Sequence, residues 1–392
     1  MSFPPDGGFL LTFNSWIQVL DKYIERMKKI YFDYAATSIK RKQILEDIIN
    51  ESYLFDGNPD SSHSFGRDAK KILEEARENI AKSIGADPSQ VIFTSGASES
   101  NNTVLSAFRD EKIITTNIEH DSIENTYNKE NTILVEATDK GVSLDQIKKG
   151  VSLDQIKEII TDEVKLVSIM IVNNEMGLVM PIKEIGEFLK DKDIYFHVDC
   201  VQAYGHLDID VDEMNIDFLS LSGHKIGGIN GFGILYAREN LPSFIKGGEQ
   251  EKYRRAGTSF VMGAYAMAKS FPYMISEREK IRDLKAYLLE KLNESCLSYE
   301  INGDPEKTVD HIVNIYFKDF KSDFLLTYLD MHGIAVSAGS ACRAGAVIPS
   351  KVVERIYGEE RASHSLRISL GFTNTKEDID RFIEVLGDLY DR

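Results

Sequence analysis

The sequence predicts an α/β fold with a largely parallel sheet, and three observations carry that prediction. Short apolar runs, "VIFT" (91–94), "KIIT" (112–115), "LVSIMIV" (166–172), "IYFHV" (194–198) and "FLSL" (218–221), alternate with helical patterns. They are strand-sized and nearly continuous in apolar character, as strands are when both faces of a sheet are covered. Each run also ends in a polar cluster, which fits an open sheet whose ligands gather outside the carboxyl ends of its strands.

Taken in order, the elements begin late. Residues 1–26 have no basic stretch before their short apolar piece and no small-residue cleavage site after it, so they do not read as a secretory signal. Met27 opens "MKKIYFDYAAT", which reads as a natural start, and 1–26 are expected to be a non-core extension. Residues 66–84 place Ala69, Ile72, Leu73, Ala76, Ile80 and Ile84 on one helical face. Residues 141–149 and 150–158 are a tandem duplication, "GVSLDQIKK" then "GVSLDQIKE". Each copy carries an S-x-x-Q capping box, Ser143/Gln146 and Ser152/Gln155. Nine residues are about two and a half turns, so a continuous helix would point the two apolar sides in opposite directions. The expectation is a packed helix over 152–161, with the first copy a surface insertion broken at Gly150. After about residue 275 the texture changes to a polar helix (276–293), "HIVNIYF", "SLRISLG" and a final helix, which predicts a smaller α+β domain.

Composition bounds the function. A net charge of -17 argues against a nucleic-acid backbone as the main ligand, because that ligand needs a basic face. The longest apolar runs fall far short of the ~20 residues that span a bilayer. The three cysteines, Cys200, Cys296 and Cys342, are odd in number and widely spaced, which suits a reducing, cytoplasmic setting better than a disulfide framework.

The polar clusters after the runs hold Ser98, His120, Asn174, Asp199, Gln202, Ser222, His224 and Lys225, and the fold would bring them to one crevice. Each has an ordinary alternative. "TSGASES" before a helix suits a phosphate on free backbone N–H groups, or a plain N-cap. Lys225 is a candidate Schiff-base lysine or a surface cation. Asp199 is a candidate partner for a pyridinium nitrogen or a capped buried carboxylate. His120 is a proton-passing imidazole over an aromatic cofactor or a loop histidine. A metal reading of His120, His197, Asp199 and His224 lacks any ligand spacing to support it. Finally, "VSAGSACRAGAV" (336–347) sets Cys342 among small residues, too small-sided for a core position, where a thiol can be reached.

Together these stretches resemble the cysteine desulfurases, class V, fold-type I enzymes that depend on pyridoxal 5'-phosphate. The similarity runs from about Met27 to the C-terminus. It includes "GNPDSSH" (57–63), "FTSGASESNN" (93–102), "EHDS" (119–122), "VNNEMG" (172–177), "HVDCVQ" (197–202), "SGHKIGG" (222–228), "GGEQEKYRRAGT" (247–258), "GSAC" (339–342) and "SLRISLG" (365–371). The resemblance implies a large domain over 42–275 with a mostly parallel seven-stranded sheet. It implies a small α+β domain from 27–41 and 276–392 that carries the cysteine loop.

By the same resemblance Lys225 bears the cofactor and serves as general base, and Asp199 pairs with its ring nitrogen. Gln202 and Asn174 lie on the ring-hydroxyl side, and His120 stacks on the ring and relays protons. Ala97, Ser98, Ser222 and His224 hold the phosphate, with Thr258 contributed by the second subunit of a homodimer. Arg367, with Asn174 near it, grips the carboxylate of L-cysteine, and Cys342 accepts the sulfur as a persulfide for iron–sulfur cluster assembly or for thiolation of tRNA or cofactors through an acceptor protein. Ser98 and Cys200 stand where that family usually has threonine and alanine, and Arg343 follows the cysteine in place of a small polar residue. The competing expectations are another class V enzyme, a selenocysteine lyase or an aminotransferase, or a non-catalytic scaffold.

Overall fold

The computed structural model describes residues 29–137, 160–339 and 348–390. The extension 1–26, the tandem copies at 141–158 and Cys342 lie outside the described residues. Ile160 and Thr161 are described and are not helical, so the helix expected over 152–161 does not reach its predicted end.

The strands in chain order are β1 (Ile30–Tyr31), β2 (Val91–Thr94), β3 (Lys112–Thr116), β4 (Thr132–Val135), β5 (Val164–Met170), β6 (Tyr195–Asp199), β7 (Phe218–Ser222), β8 (Gly233–Ala237), β9 (Tyr299–Asn302), β10 (Ile312–Phe317), β11 (Ile334–Ala335) and β12 (Ser365–Ser369). Seven of them form one sheet in the order β2-β8-β7-β6-β5-β3-β4. Only β8 runs antiparallel to its neighbours; the other pairings are parallel. The five apolar runs became β2, β3, β5, β6 and β7, and every residue of β2, β7 and β8 is buried, as a sheet covered on both faces requires.

The helix expected over 66–84 forms over Ser64–Ser83, capped by the His63 imidazole, which accepts from the Gly66 N–H at 3.3 Å. Its buried face includes Ala69, Leu73, Ala76 and Ile80; of the rest of the predicted set, Ile72 is partly buried and Ile84 is fully buried just past the helix end. The polar helix expected at 276–293 is a correction: it is the second half of a helix spanning Val261–Glu294, with Pro272 inside it. A proline there removes one backbone donor and argues locally for a break. Packing overrides it, because the helix serves two cores in succession. Val261, Ala264, Met267 and Met274 belong to the core of the large sheet, whereas Ile281, Leu284, Leu288 and Leu292 belong to a second core. That second core lies on a three-stranded antiparallel sheet, β12-β10-β9, beside the short parallel pair β1-β11.

The segment after β1 connects the two sheets. Asp33 bridges to Ser369 on β12, while the Ser38 N–H donates to the carbonyl of His224, just past β7. The carbonyls of Ala35 and Ala36 are thereby placed at the carboxyl end of the large sheet.

Candidate active site

The carboxyl ends of β2, β3, β5, β6 and β7 open on one cleft of about 500 Å³. Ala97, Ser98, His120, Asn174, Asp199, Gln202, Ser222, His224, Lys225 and Arg367 all line it, so the convergence expected from the strand ends is present. Thr258 is exposed and does not line this cleft of its own chain. Gly339, three residues before Cys342, does line it.

At one end of the cleft the helix Ala97–Ala107 begins without a side-chain cap. The N–H groups of Ala97 and Ser98 find no acceptor among the described residues, as the first turn of any helix leaves its donors free. Gly96, at φ +151°, makes the turn into the helix, and a Cβ there would meet nothing within 4 Å. Glycine is needed here for its conformation, and its bare face leaves the cup open. Glu99, also at this helix start, accepts from the Ser95 N–H at 2.8 Å and from Arg255 Nε at 2.9 Å. That ion pair ties the segment carrying Thr258 to the cup, and with the Ser95 bond it holds the Glu99 carboxyl below its ordinary range in spite of burial.

At the floor, Asp199 ends β6. Its Oδ1 accepts the Val201 N–H at 3.0 Å and its Oδ2 accepts Asn101 Nδ2 at 2.8 Å. Asn101 also donates to Ser122 Oγ at 2.9 Å, while its own Oδ1 is buried without a partner among the described residues. Ser122 turns to His120: its N–H donates to Nδ1 at 3.1 Å. Since an N–H can only donate, Nδ1 is the bare nitrogen, and a neutral His120 carries its proton on Nε2. Nearby, burial pushes the Glu119 carboxyl up to about 8, against hydrogen bonds from Thr116 and the Met170 N–H, and the charge of Asp199 pushes the same way.

Lys225 follows β7 in a short turn. Its Nζ donates to the carbonyls of Ala35 at 2.6 Å and Ala36 at 2.9 Å. Burial, and then the positive charge of Arg367, bring its pKa down to about 8 from 10.5, although Asp33 and Asp199 oppose the shift. Burial likewise pushes the adjacent His224 down to about 3, helped by the charges of Lys225 and Lys40, so it is a neutral imidazole, with Nδ1 at 3.1 Å from Thr37 Oγ1. Gln202 donates from Nε2 to the Ala35 carbonyl at 2.9 Å. Arg367 lies on β12, and its Nη1 and Nη2 donate to the Asn174 carbonyl and to Asp33 Oδ1, both at 2.8 Å. Asn174 thus touches Arg367 through its backbone.

Sequence reasoning missed Asn101, Ser122, Asp33 and the Ala35 carbonyl. Asn101 stands inside "FTSGASESNN", on the helix expected after that turn, but a single polar side chain there does not announce a partner on β6. A backbone carbonyl carries no signal in the sequence. Among the described residues no cluster of metal-ligand side chains occurs. Cys200 is buried and its thiol is pushed well up by burial, in line with its reading as a small buried residue.

Residues 30–382 match the family described as aminotransferase class-V, and the chain belongs to it. A protein named putative cysteine desulfurase IscS 1 from Bacillus subtilis (strain 168) is 42% identical over 386 residues, covering 93% of this chain and 100% of that one. A cysteine desulfurase IscS of Clostridium botulinum (strain Kyoto / Type A2) is 40% identical over 383 residues, 92% of this chain and 94% of that one. Among solved structures, a NifS-like protein from Rickettsia africae ESF-5 superposes with a TM-score of 0.82 at 32% identity, covering 93% of this chain and 100% of that one. The structure of SspA in complex with cysteine matches with a TM-score of 0.74 at 33% identity, covering 87% and 98%. Within the class V family the activity of this chain is that of a cysteine desulfurase, and the fold is that of the fold-type I enzymes.

Proposed function

We propose that the cleft binds pyridoxal 5'-phosphate and that the chain converts L-cysteine to L-alanine, passing the sulfur to Cys342 as a persulfide. The observation that carries this reading is the meeting of Lys225, Asp199, Gln202, His224 and the open helix start at Ala97–Ser98 in one cleft. The donor set fits the cofactor. Uncapped N–H groups, Ser222 and His224 suit a phosphate, the carboxylate of Asp199 suits a protonated ring nitrogen, and Gln202 suits the ring oxygen. Lys225 would hold the aldehyde carbon.

Bound there, the cofactor supplies an electron sink for the substrate Cα. The rest falls to the chain. Arg367 uses one N–H of each terminal nitrogen on protein acceptors, which leaves the second N–H of each for the substrate carboxylate. Lys225, once neutral, takes the Cα proton. His120 holds a proton on Nε2 for relay within the cleft. The Cys342 thiolate attacks the substrate sulfur: an S–S bond forms, the C–S bond breaks, and its electron pair stays on the carbon side to be protonated. A thiolate is needed for that attack, and Arg343, next in the sequence, is the cation that would favour it. An acceptor protein then takes the sulfur, for iron–sulfur cluster assembly or thiolation of tRNA or cofactors. The working form is a cytoplasmic homodimer in which Thr258 of each copy completes the phosphate site of the other. We assign a large domain to 42–275 and a small one to 27–41 with 276–392, although the core of the large sheet also draws Ala35, Val309, Ile312, Val352, Val353 and Ala362 from the small domain's segments.

Purified protein with pyridoxal 5'-phosphate is expected to form alanine from L-cysteine, and Cys342→Ala is expected not to. Alanine from neither, with cofactor bound, would point to a different reaction. Undiminished alanine from Cys342→Ala would sink its role as the acceptor. Asn101→Leu, which fills the same space without the N–H donor to Asp199, is expected to weaken cofactor binding about tenfold, the effect of one charge-assisted hydrogen bond. Equilibrium titration of the apoprotein checks it.

A further inference from the structure

Against Gln202, two histidines lie face to face. The ring centroids of His206 and His311 are 3.5 Å apart and their planes differ by 10°. His311 immediately precedes β10 and is 2% exposed. Its Nε2 is 3.3 Å from Gln202 Oε1, and its Nδ1 is buried with no partner among the described residues.

Hydrogen-bond bookkeeping fixes every orientation in this group. The Ala35 carbonyl can only accept, so Gln202 must turn its NH2 toward it, at 2.9 Å. Gln202 Oε1 then faces His311 and can only accept. Hence His311 must present an N–H at Nε2, which leaves Nδ1 bare. Both imidazoles are neutral: burial drives His206 down to about 3 and His311 well below its ordinary value. The positive charges of Arg41 and Arg278 near His206, and of Lys285, Arg367 and Lys225 near His311, push the same way. A neutral imidazole has a single N–H, and here it is spent on Gln202 while the other nitrogen goes unpartnered. The same Ala35 carbonyl accepts Lys225 Nζ, so the lysine and the Gln202 amide share one acceptor.

We infer that His311 is a positioning residue, which through its Nε2–H locks the Gln202 amide with its NH2 group turned to the Ala35 carbonyl and the cofactor ring oxygen. The inference rests on the cofactor reading given above. Without the His311 donor Gln202 Oε1 is left unpartnered, and the amide, tied only at the Ala35 carbonyl, can rotate its second N–H away from the ring oxygen. The stack with His206 keeps the imidazole plane fixed.

Two variants separate donor from shape. His311→Phe keeps an aromatic face for His206 and removes the N–H, whereas His311→Gln keeps a donor at about the reach of Nε2. In His311→Phe, pyridoxal 5'-phosphate is expected to bind the apoprotein about five- to tenfold more weakly, the effect of one neutral hydrogen bond. The pH midpoint of the absorbance of the lysine-bound cofactor is expected to move up, because a ring oxygen with less donation holds the neighbouring proton more tightly. His311→Gln is expected to stay near the wild type in both. Adding Gln202→Leu to His311→Phe is expected to cause no further loss. In the wild-type apoprotein, imidazole nitrogen shifts are expected to report the Nε2–H tautomer of His311. An Nδ1–H tautomer, a His311→Phe indistinguishable from wild type, or a His311→Gln as impaired as His311→Phe would overturn the inference and leave the cofactor reading standing. A wild type that binds no cofactor would overturn both.

Discussion

Lys225→Ala is expected to lower alanine formation from L-cysteine by about 10⁴-fold, the upper end of what one general base contributes, because the same amine also anchors the cofactor. Two carbonyls hold Nζ, and burial together with the charge of Arg367 sets its pKa at about 8. Only the neutral amine can take a proton. Where Lys225 limits the rate, turnover therefore rises with pH through about 8 and levels above it. Lys225→Arg keeps the charge and cannot act as a base, so it is expected to be as inactive as the alanine variant. A small primary amine added to Lys225→Ala is expected to restore part of the rate in proportion to its concentration. Turnover within tenfold of the wild type in Lys225→Ala would remove the lysine from the mechanism.

The apoprotein provides a second reading of the same group. The folded pKa of Lys225 is depressed, so the unfolded chain binds more protons between about 8 and 10.5. Stability gains a contribution as pH rises through that window, and below about 8 the cost of burying the charge is present in full. Lys225→Ala removes this dependence, which denaturant titrations at several pH values would read.

How far the sequence reached can be judged from particular elements. The runs that became β5, β6 and β7 were legible because strands buried on both faces need unbroken apolar character. β4 was not: it is the edge strand beside β3, with Thr132 and Ile133 half-buried and Leu134 exposed, so its pattern is weak. β8, wholly buried, was not among the runs singled out, because the glycines of "NGFGILYA" interrupt its apolar character. One of them, Gly233, packs so close that a Cβ would come within 2.5 Å of Gly96 Cα, a tertiary reason invisible in one strand. The site was legible where side chains follow strands directly, as Asp199 follows β6 and Lys225 follows β7. It was not legible where a partner arrives from elsewhere. Asn101 meets Asp199 from 98 positions away, and His311 reaches Gln202 from the other sheet. Thr258 followed only from resemblance: in this chain it is exposed and does not line the cleft.

Arg367→Met is expected to cut kcat/KM for L-cysteine by about 10²–10³-fold, mostly through KM, the scale of truncating one member of a buried charge pair. Arg367 side-chain exposure is 3%, and its partner Asp33, at 23%, is partly wet. The loss therefore has two sources, a missing clamp on the substrate and an unpaired Asp33. The second should cost about 3 kcal/mol of stability, the low end for a broken buried pair because water reaches Asp33. Arg367→Met with Asp33→Asn separates the two. The double variant is expected to regain most of the stability and almost none of the activity, since the amide at 33 needs no cation while the substrate carboxylate still does. The single variant also tests the link to Lys225. Removing the positive charge of Arg367 lets the lysine pKa rise, so the rise of turnover with pH shifts above 8 in Arg367→Met. If the double variant recovered activity along with stability, Arg367 would be a structural cation of β12 and the carboxylate of L-cysteine would have to be held elsewhere.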